Sequence, residues 1–384
     1  MSIRVGFDIL ENTIKRALIN AGLNEDKAAL CARIHTESSA DGVESHGANR
    51  VPRFVKYVKR GWVNPNGEPE LVGRKGLAEN YDGNLGAGIT NAIFCTDRAI
   101  KLADEHGIGL VTIKNTTHWM RGGTYAWRMA ESGKIGISWI ATESCMPMWG
   151  SDEPSVGNNP FCMAVPRENG EIVLDMAMSQ YAYGKLGVYR LAGKQLPYPG
   201  GFDEAGNLTS DPGEIEKSRR ILPAGYWKGS SFALVLDLIA SALANGKSGA
   251  ELDDEKKGSC TGCCQVFIAI DPYLFGDKES IQRKWDYRVQ RADSVHPSNI
   301  KFSVKSPGEG TMERRKYSME NGINIDEKIL VNMEINKNLE EQLTALHRRV
   351  IYSLLYCCSG KYVLFRDKDN YLRDNRNQSI CFLL

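Results

Sequence analysis

Near the N-terminus, Phe7, Leu10, Ile14, Ala17 and Leu18 return at helical spacing and the pattern stops at Gly22, which predicts a helix over residues 8–21. A second helix is expected over 26–41, a turn at Gly42, and a further short helix through RFVKYVKRG. Residues 88–106 predict a longer helix, IGLVTIK (108–114) a strand, TYAWRMAESG a short helix and IGISWIAT (135–142) another strand. This βαβ-like rhythm predicts the α/β class, with a mixed, partly parallel sheet covered by helices. Two apolar runs in residues 162–178 flank Asn169-Gly170, a dipeptide that accepts positive φ, and so read as a hairpin. KGSSFALVLDLIASALANG predicts a nearly all-apolar helix ending at Gly246, CQVFIAIDP a buried strand, and residues 277–294 a charged helix.

Residues 190–226 are rich in Gly, Pro and turn formers and read as a long irregular excursion, a type of segment that often carries function. From about Asn336 the character changes. Leu339, Leu343, Leu346 and Val350 fall on one helical face, which fits an added packed helix or a partner-binding appendage. The final Cys381 to Leu384 formally fit a prenylation box, a four-residue match that nothing else supports.

Composition narrows the function classes. The chain has 384 residues, 42% hydrophobic and 25% charged, enough for a sizeable core and about two domains. A formal net charge of +1 provides no general attraction to nucleic acid or to an anionic membrane, so small molecules are the expected partners. The opening MSIRVGFDILENTIKRALINAG lacks a charged start followed by an unbroken apolar run, and no later window reaches the roughly eighteen apolar residues of a membrane helix; the expected location is cytoplasmic. Ten cysteines are too sparse for a disulfide scaffold and fit reduced, buried thiols. Cys260, Cys263 and Cys264 in SCTGCCQVF include a CxxC spacing, but no second CxxC or histidine pair accompanies it, so a structural role without metal is expected.

Four places carry candidate chemistry. No GxGxxG fingerprint is present: GAGITN at 86–91 lacks the third glycine, and no P-loop exists either. In SHGANRVPRF, His46 can donate a proton near neutral pH while Arg50 and Arg53 offer guanidinium forks; a helical segment would set Arg50 one turn from His46. The alternative is a solvated basic face with a capping serine. In NTTHWMRGG, His118 and Arg121 follow a strand, where ligands gather in α/β sheets, and Gly122-Gly123 would let backbone approach a ligand; the alternative is a buried His-Trp packing pair. In VLDMAMS, Asp175 follows a strand end and would need a partner such as a ribose hydroxyl, or would cap a helix. In AGYWKGSS, a helix start with Lys228 offers an anion site, or Ser230 is a plain cap.

Taken in order, SHGANR, HGIGLVTIKNTTHWMRGG, GNNP, LDMAMS, RLAGKQLP, RRILPAGYWKGS, QVFIAI and SPGEG resemble the malate/L-lactate dehydrogenase-like family of NAD(P)-dependent oxidoreductases, from the N-terminus to about Ile335. The resemblance implies a non-Rossmann cofactor fold, a homodimer or larger assembly, and NADH or NADPH as cofactor. It implies hydride transfer to a keto group of a 2-keto or 2,3-diketo sugar acid, other members acting on malate, lactate or ureidoglycolate. His46 takes the place of the family's proton donor, with His118 its rival, and Arg50, aided by Arg121, would hold the carboxylate. The cofactor stretch falls on Glu171, Ile172, Val173, Leu174, Asp175, Met176 and Ala177, then on Trp227 and Lys228, and on Gly308, Glu309 and Gly310, where this chain departs from the family's PGHE-like loop. On this basis residues 1–120 form a helical and mixed region carrying the catalytic histidine, 121–300 the cofactor-binding α/β region, 301–336 a C-terminal return, and 337–384 an extension with no family counterpart. A silent binding protein using that extension as a partner helix is the competing class.

Overall fold

The computed structural model describes residues 2–258, 260–295 and 304–334, with the backbone of Leu364–Phe365 and Leu372–Arg373. The appendage helix and the terminal Cys381 expected from the sequence lie outside the described residues. The chain divides into two compact units, 1–333 and 334–384. In the second, Leu364–Phe365 and Leu372–Arg373 pair antiparallel.

The first unit runs β1 (Ser2–Val5), α1 (Phe7–Asn20), α2 (Glu25–Ala40), α3 (Val51–Lys59), β2 (Glu70–Lys75), β3 (Ala78–Asp82), α4 (Gly88–His106), β4 (Ile108–Thr116), α5 (Gly123–Glu131), β5 (Ile135–Ile140), β6 (Met146–Pro147), β7 (Pro154–Val156), β8 (Phe161–Val165) and β9 (Ile172–Met176). It continues through α6 (Tyr183–Leu191), β10 (Gly201–Phe202), β11 (Leu208–Thr209), α7 (Pro212–Ser218), α8 (Trp227–Ala244), α9 (Gly249–Glu255), β12 (Cys263–Ile270), α10 (Lys278–Asp293), α11 (Glu309–Asn321), β13 (Ile323–Asp326) and α12 (Glu327–Glu334). The predicted helices and strands are present with small shifts at their ends. The stretch 190–226 is not irregular throughout: it holds a two-residue hairpin and α7, which Asp211 caps by accepting from Gly213 and Glu214 N–H ahead of Pro212.

Seven strands form one sheet in the order β2-β3-β4-β12-β5-β8-β9. Only β3 and β4 are parallel, joined by α4 as the crossover; every other neighbour is antiparallel. The sheet is therefore mixed, with a single parallel pair where the rhythm suggested more. The late strand β12 enters the middle, between β4 and β5, and is buried along most of its length, so its near-continuous apolar run packs on both faces.

Strand alternation divides the core. Cys263, Phe267 and Ala269 face a cluster built with α1–α5, while Cys264 and Val266 face a cluster under α8. Leu10, Ile14 and Leu18 of α1 are fully buried, each contributing about 1.5–3 kcal/mol. Helix α8 is long and apolar enough to cross a membrane, yet Ala233, Leu236, Ala240 and Ala244 are buried in the second cluster, so it is a helix seated on the sheet.

These directions place the ends of β3, β4, β5 and β9 and the starts of β8 and β12 at one edge of the sheet. The chain there must leave the ladder, so side chains from many segments converge with unshared polar groups.

Candidate active site

A cavity of about 1120 Å³ opens at that edge. After β4 it is lined by His118 and Arg121, after β5 by Thr142 and Glu143, before β8 by Asn158 and Pro160, at β9 by Asp175 and Ala177, and before β12 by Cys260. The turn after α2 contributes Ser45 and His46, α3 and the residue before it Arg50 and Arg53, α6 Tyr183 and Lys185, and the start of α11 Gly308 and Arg314. Such a volume exceeds the need of one small acid. Arg50, Arg53, Lys185 and Arg314 outnumber Glu44, Glu143 and Asp175 on its walls, which favours an anionic ligand.

His46 ends a single 3-10 turn, Glu44–His46, and a second such turn, Ala48–Arg50, follows after Gly47. The continuous helix that would set Arg50 one turn from His46 does not form, because Gly47 is extended at φ −93°, ψ −139°. Both side chains nevertheless reach the cavity. Gly47 is required by contact: a Cβ there would lie 2.1 Å from Ser39 Oγ, which accepts the Ala48 N–H at 2.8 Å. Beneath it the fully buried His35 donates from Nδ1 to the Gly47 carbonyl at 3.1 Å.

The imidazoles of His46 and His118 stack with centroids 5.5 Å apart and planes at 21°. Their hydrogen bonds differ in kind. His118 Nδ1 accepts the Met120 backbone N–H at 2.9 Å, with Met120 held at φ +66°, so its proton resides on Nε2 and a second proton has no place on Nδ1. His46 Nδ1 meets the Ser45 hydroxyl at 3.0 Å, and a hydroxyl can donate to a neutral ring or accept from a charged one. Of the two Nδ1 contacts, that of His46 accommodates either protonation state of its ring.

Burial, then Arg50, pushes His46 down to about 4 and His118 well below the ordinary range; burial pushes His35 down to about 4. In the unfolded chain these rings take up protons near pH ~6.5, whereas folded they resist until about 4, so the unfolded state binds more protons in that window and stability falls as pH falls through it. Each ring contributes a slope of at most about 1.4 kcal/mol per pH unit. Urea titrations should show stability falling between about pH 6.5 and 5, above most carboxylate titrations, with a shallower fall in His35→Phe. A flat profile over that range contradicts these buried neutral histidines.

Arg121 lines the cavity, and its guanidinium is already engaged by protein carboxylates. It is buried, ion-paired with Asp41 and lies 3.4 Å from Asp175 through Nε. Asp41, fully buried at the end of α2, also accepts from Arg315 at 2.6 and 2.8 Å, and its carbonyl accepts from Arg314 at 2.9 Å. Both Arg121 and Arg315 lie over the Trp127 ring, at 5.2 and 5.9 Å. This network locks α11 to the turn that carries His46. Gly122 lines the cavity, and a Cβ at Gly123 would lie 2.6 Å from the Asp175 carboxylate, so the bare backbone seats Asp175 at the start of α5. Arg50 also sits at the cavity wall, near Arg53, Tyr57 and Glu143.

The expected cofactor residues divide. Val173, Leu174, Asp175 and Ala177 reach the cavity with Gly308, and the Val173 N–H donates to the Pro307 carbonyl at 3.1 Å, tying the two segments. Glu171, Ile172 and Met176 lie outside the lining, as do Glu309, which accepts the Ser306 N–H at 3.0 Å, and Gly310. Trp227 and Lys228 are also elsewhere, at the start of α8, where Trp227 is 59% exposed and Ser230 accepts from Trp149 N–H without capping the helix. Asp175 is in a strand and caps no helix. Asp41, Trp127, Arg314 and Arg315 were not singled out in the sequence; Glu143, just past a strand end, carried the same positional signal as His118. Among the described residues no cluster of side chains suited to a metal occurs.

A family profile described as malate/L-lactate dehydrogenase matches residues 5–334. The chain belongs to the malate/L-lactate dehydrogenase family. A 2,3-diketo-L-gulonate reductase of Escherichia coli O127:H6 is 41% identical over 332 residues, covering 86% of this chain and 99% of the relative. Among solved structures, the sulfolactate dehydrogenase of Methanocaldococcus jannaschii superposes with a TM-score of 0.80 at 26% identity, covering 88% of this chain and 97% of that one. The malate dehydrogenase of Pyrococcus horikoshii gives 0.79 at 27% identity over 88% and 95%. As a member of this dehydrogenase family, the chain is an oxidoreductase with the non-Rossmann fold that the resemblance implied.

Proposed function

We propose that this oxidoreductase reduces a keto group of a sugar acid, 2,3-diketo-L-gulonate to 3-keto-L-gulonate, with NADH as the reductant and NADPH the second candidate. The observation that carries the reading is the stacked His46–His118 pair beside Arg50, in a chain 41% identical to a reductase named for that substrate.

The part of the cavity lined by β9, Trp127 and Gly308 suits a dinucleotide. Trp127 lines the cavity, and among the described residues its buried indole N–H meets no acceptor. Gly308, at φ +96°, leaves a hollow that a Cβ would fill, 3.2 Å from that indole ring and 3.3 Å from the Val173 nitrogen. Asp175 could accept from a ribose hydroxyl. A bound nicotinamide supplies the hydride. Arg50 holds the substrate carboxylate and so aims the keto group. His118 donates a hydrogen bond from Nε2 to the carbonyl oxygen as a neutral ring. His46 protonates the developing alkoxide. The substrate carboxylate offsets the Arg50 charge that opposes protonation of His46, so acid binding readies the acid catalyst. Formation of one 3-keto-L-gulonate for each NADH consumed supports the reaction, and NADH left unchanged beside the diketo acid excludes it. A malate-type reaction is the second reading, supported by the fold of the Pyrococcus horikoshii dehydrogenase.

A homodimer is part of the proposal. Phe232, Val235, Leu238, Ile239 and Leu243 of α8 stay exposed on one side of a helix whose other side is buried, and a second copy would cover them. Sedimentation as a monomer at micromolar concentration would remove this element. A cytoplasmic location fits the seven free cysteines among the described residues.

A further inference from the structure

The CxxC turn in the cavity wall plays no part in that reaction, and its geometry suggests chemistry of its own. The Cys263 N–H donates to the Cys260 carbonyl at 3.3 Å, so Cys260-Thr261-Gly262-Cys263 is a closed turn. The Cα atoms at the ends of such a turn lie within about 7 Å, and disulfides span about 4.4–6.8 Å. The Cys263 thiol faces the Thr116 carbonyl at 3.8 Å, next to the cavity wall that Cys260 lines. Cys260 is held at φ +57° and its N–H donates to Glu143 at 2.8 Å, which fixes the turn that presents the sulfurs. Cys264 is excluded as a partner: it faces the other core, with Sγ 3.4 Å from the Lys247 carbonyl. Cys263 is fully buried and Cys260, itself only 3% exposed, lines the cavity, so a small reagent reaches the pair through Cys260.

We propose that Cys260 and Cys263 form a reversible disulfide by exchange with a small disulfide that enters the cavity. The Cys260 thiolate attacks one sulfur of the oxidant and expels the first thiolate; the Cys263 thiolate then attacks the Cys260 sulfur of the mixed disulfide and expels the second. One S–S bond forms and one breaks, two electrons pass from the protein to the oxidant, and the two protons lost by the pair end on the two released thiols. The neighbouring Cys263 side chain and burial hold the Cys260 thiol well above its ordinary range, so exchange is slow at neutral pH and quickens as pH rises.

The test uses the full chain with oxidised glutathione at neutral and raised pH, followed by unfolding, alkylation and mass spectrometry. Cys260 and Cys263 should lose their alkylation sites together, faster at the higher pH, and regain them with dithiothreitol. Cys264→Ser should behave as the wild type, and Cys263→Ser should accumulate glutathione on Cys260. Persistent alkylation of both residues at raised pH, or a bridge to Cys264, overturns the proposal. The mass readout stands whether or not the reductase reading holds, and the wild-type result decides even if a variant fails to fold.

Discussion

His46→Gln is expected to lower kcat for keto-acid reduction by roughly a thousandfold with little change in KM, the usual contribution of a general acid. His118→Gln should cost about a hundredfold, since it removes a fixed donor to the carbonyl oxygen. The pH profile separates the two roles. In the proposed mechanism reduction needs His46 protonated, and its pKa in the free protein is held down to about 4, so kcat/KM should fall with rising pH across the neutral range. Oxidation of the hydroxy acid needs the neutral ring and should not show that fall. His118→Gln should keep the falling limb and His46→Gln should flatten it; the opposite pattern would make His118 the proton donor. The prediction rests on which group faces each Nδ1: a rotatable hydroxyl for His46, a fixed backbone N–H for His118.

Asp41→Asn should cost about 3–5 kcal/mol, because it leaves Arg121 and Arg315 buried or half-buried without the carboxylate they share. A melting temperature lower by about 4–7 °C is expected for a unit of this size. Activity should fall too, since the same carboxylate joins α11, with the Gly308 hollow, to the turn that carries His46. Adding Arg315→Met to Asp41→Asn should recover part of the loss by removing one stranded cation. A melting shift of Asp41→Asn within about 2 °C would mean the network contributes little.

Much of the fold was legible because local pattern and final burial agree. The faces of α1 and α4, the hairpin at Gly170 and the apolar run of β12 all reappear. Strand β2 was not legible because all six of its residues are exposed at the sheet edge, so no buried face imposes alternation. The pairing of β1 with β13 joins four residues at each end of the first unit, and nothing local marks either as the other's partner. The site follows the same division. His46, Arg50, His118 and Asp175 stand out by residue type and by position at strand ends and turns. Asp41 and Arg315 look like ordinary surface charges, and only the fold brings them together across 274 positions. Arg121 shows the converse: position marked it for a ligand, and a buried acid from α2 had already claimed it. The displacement of Trp227 and Lys228 from the cavity reflects a helix whose exposed face the proposed second copy would cover.

The most direct measurement is kcat/KM for NADH oxidation, followed by absorbance, with 2,3-diketo-L-gulonate, oxaloacetate and pyruvate in parallel. The account predicts the highest value for 2,3-diketo-L-gulonate. Turnover of oxaloacetate or pyruvate with none of the diketo acid, or no oxidation with any of the three, would contradict it.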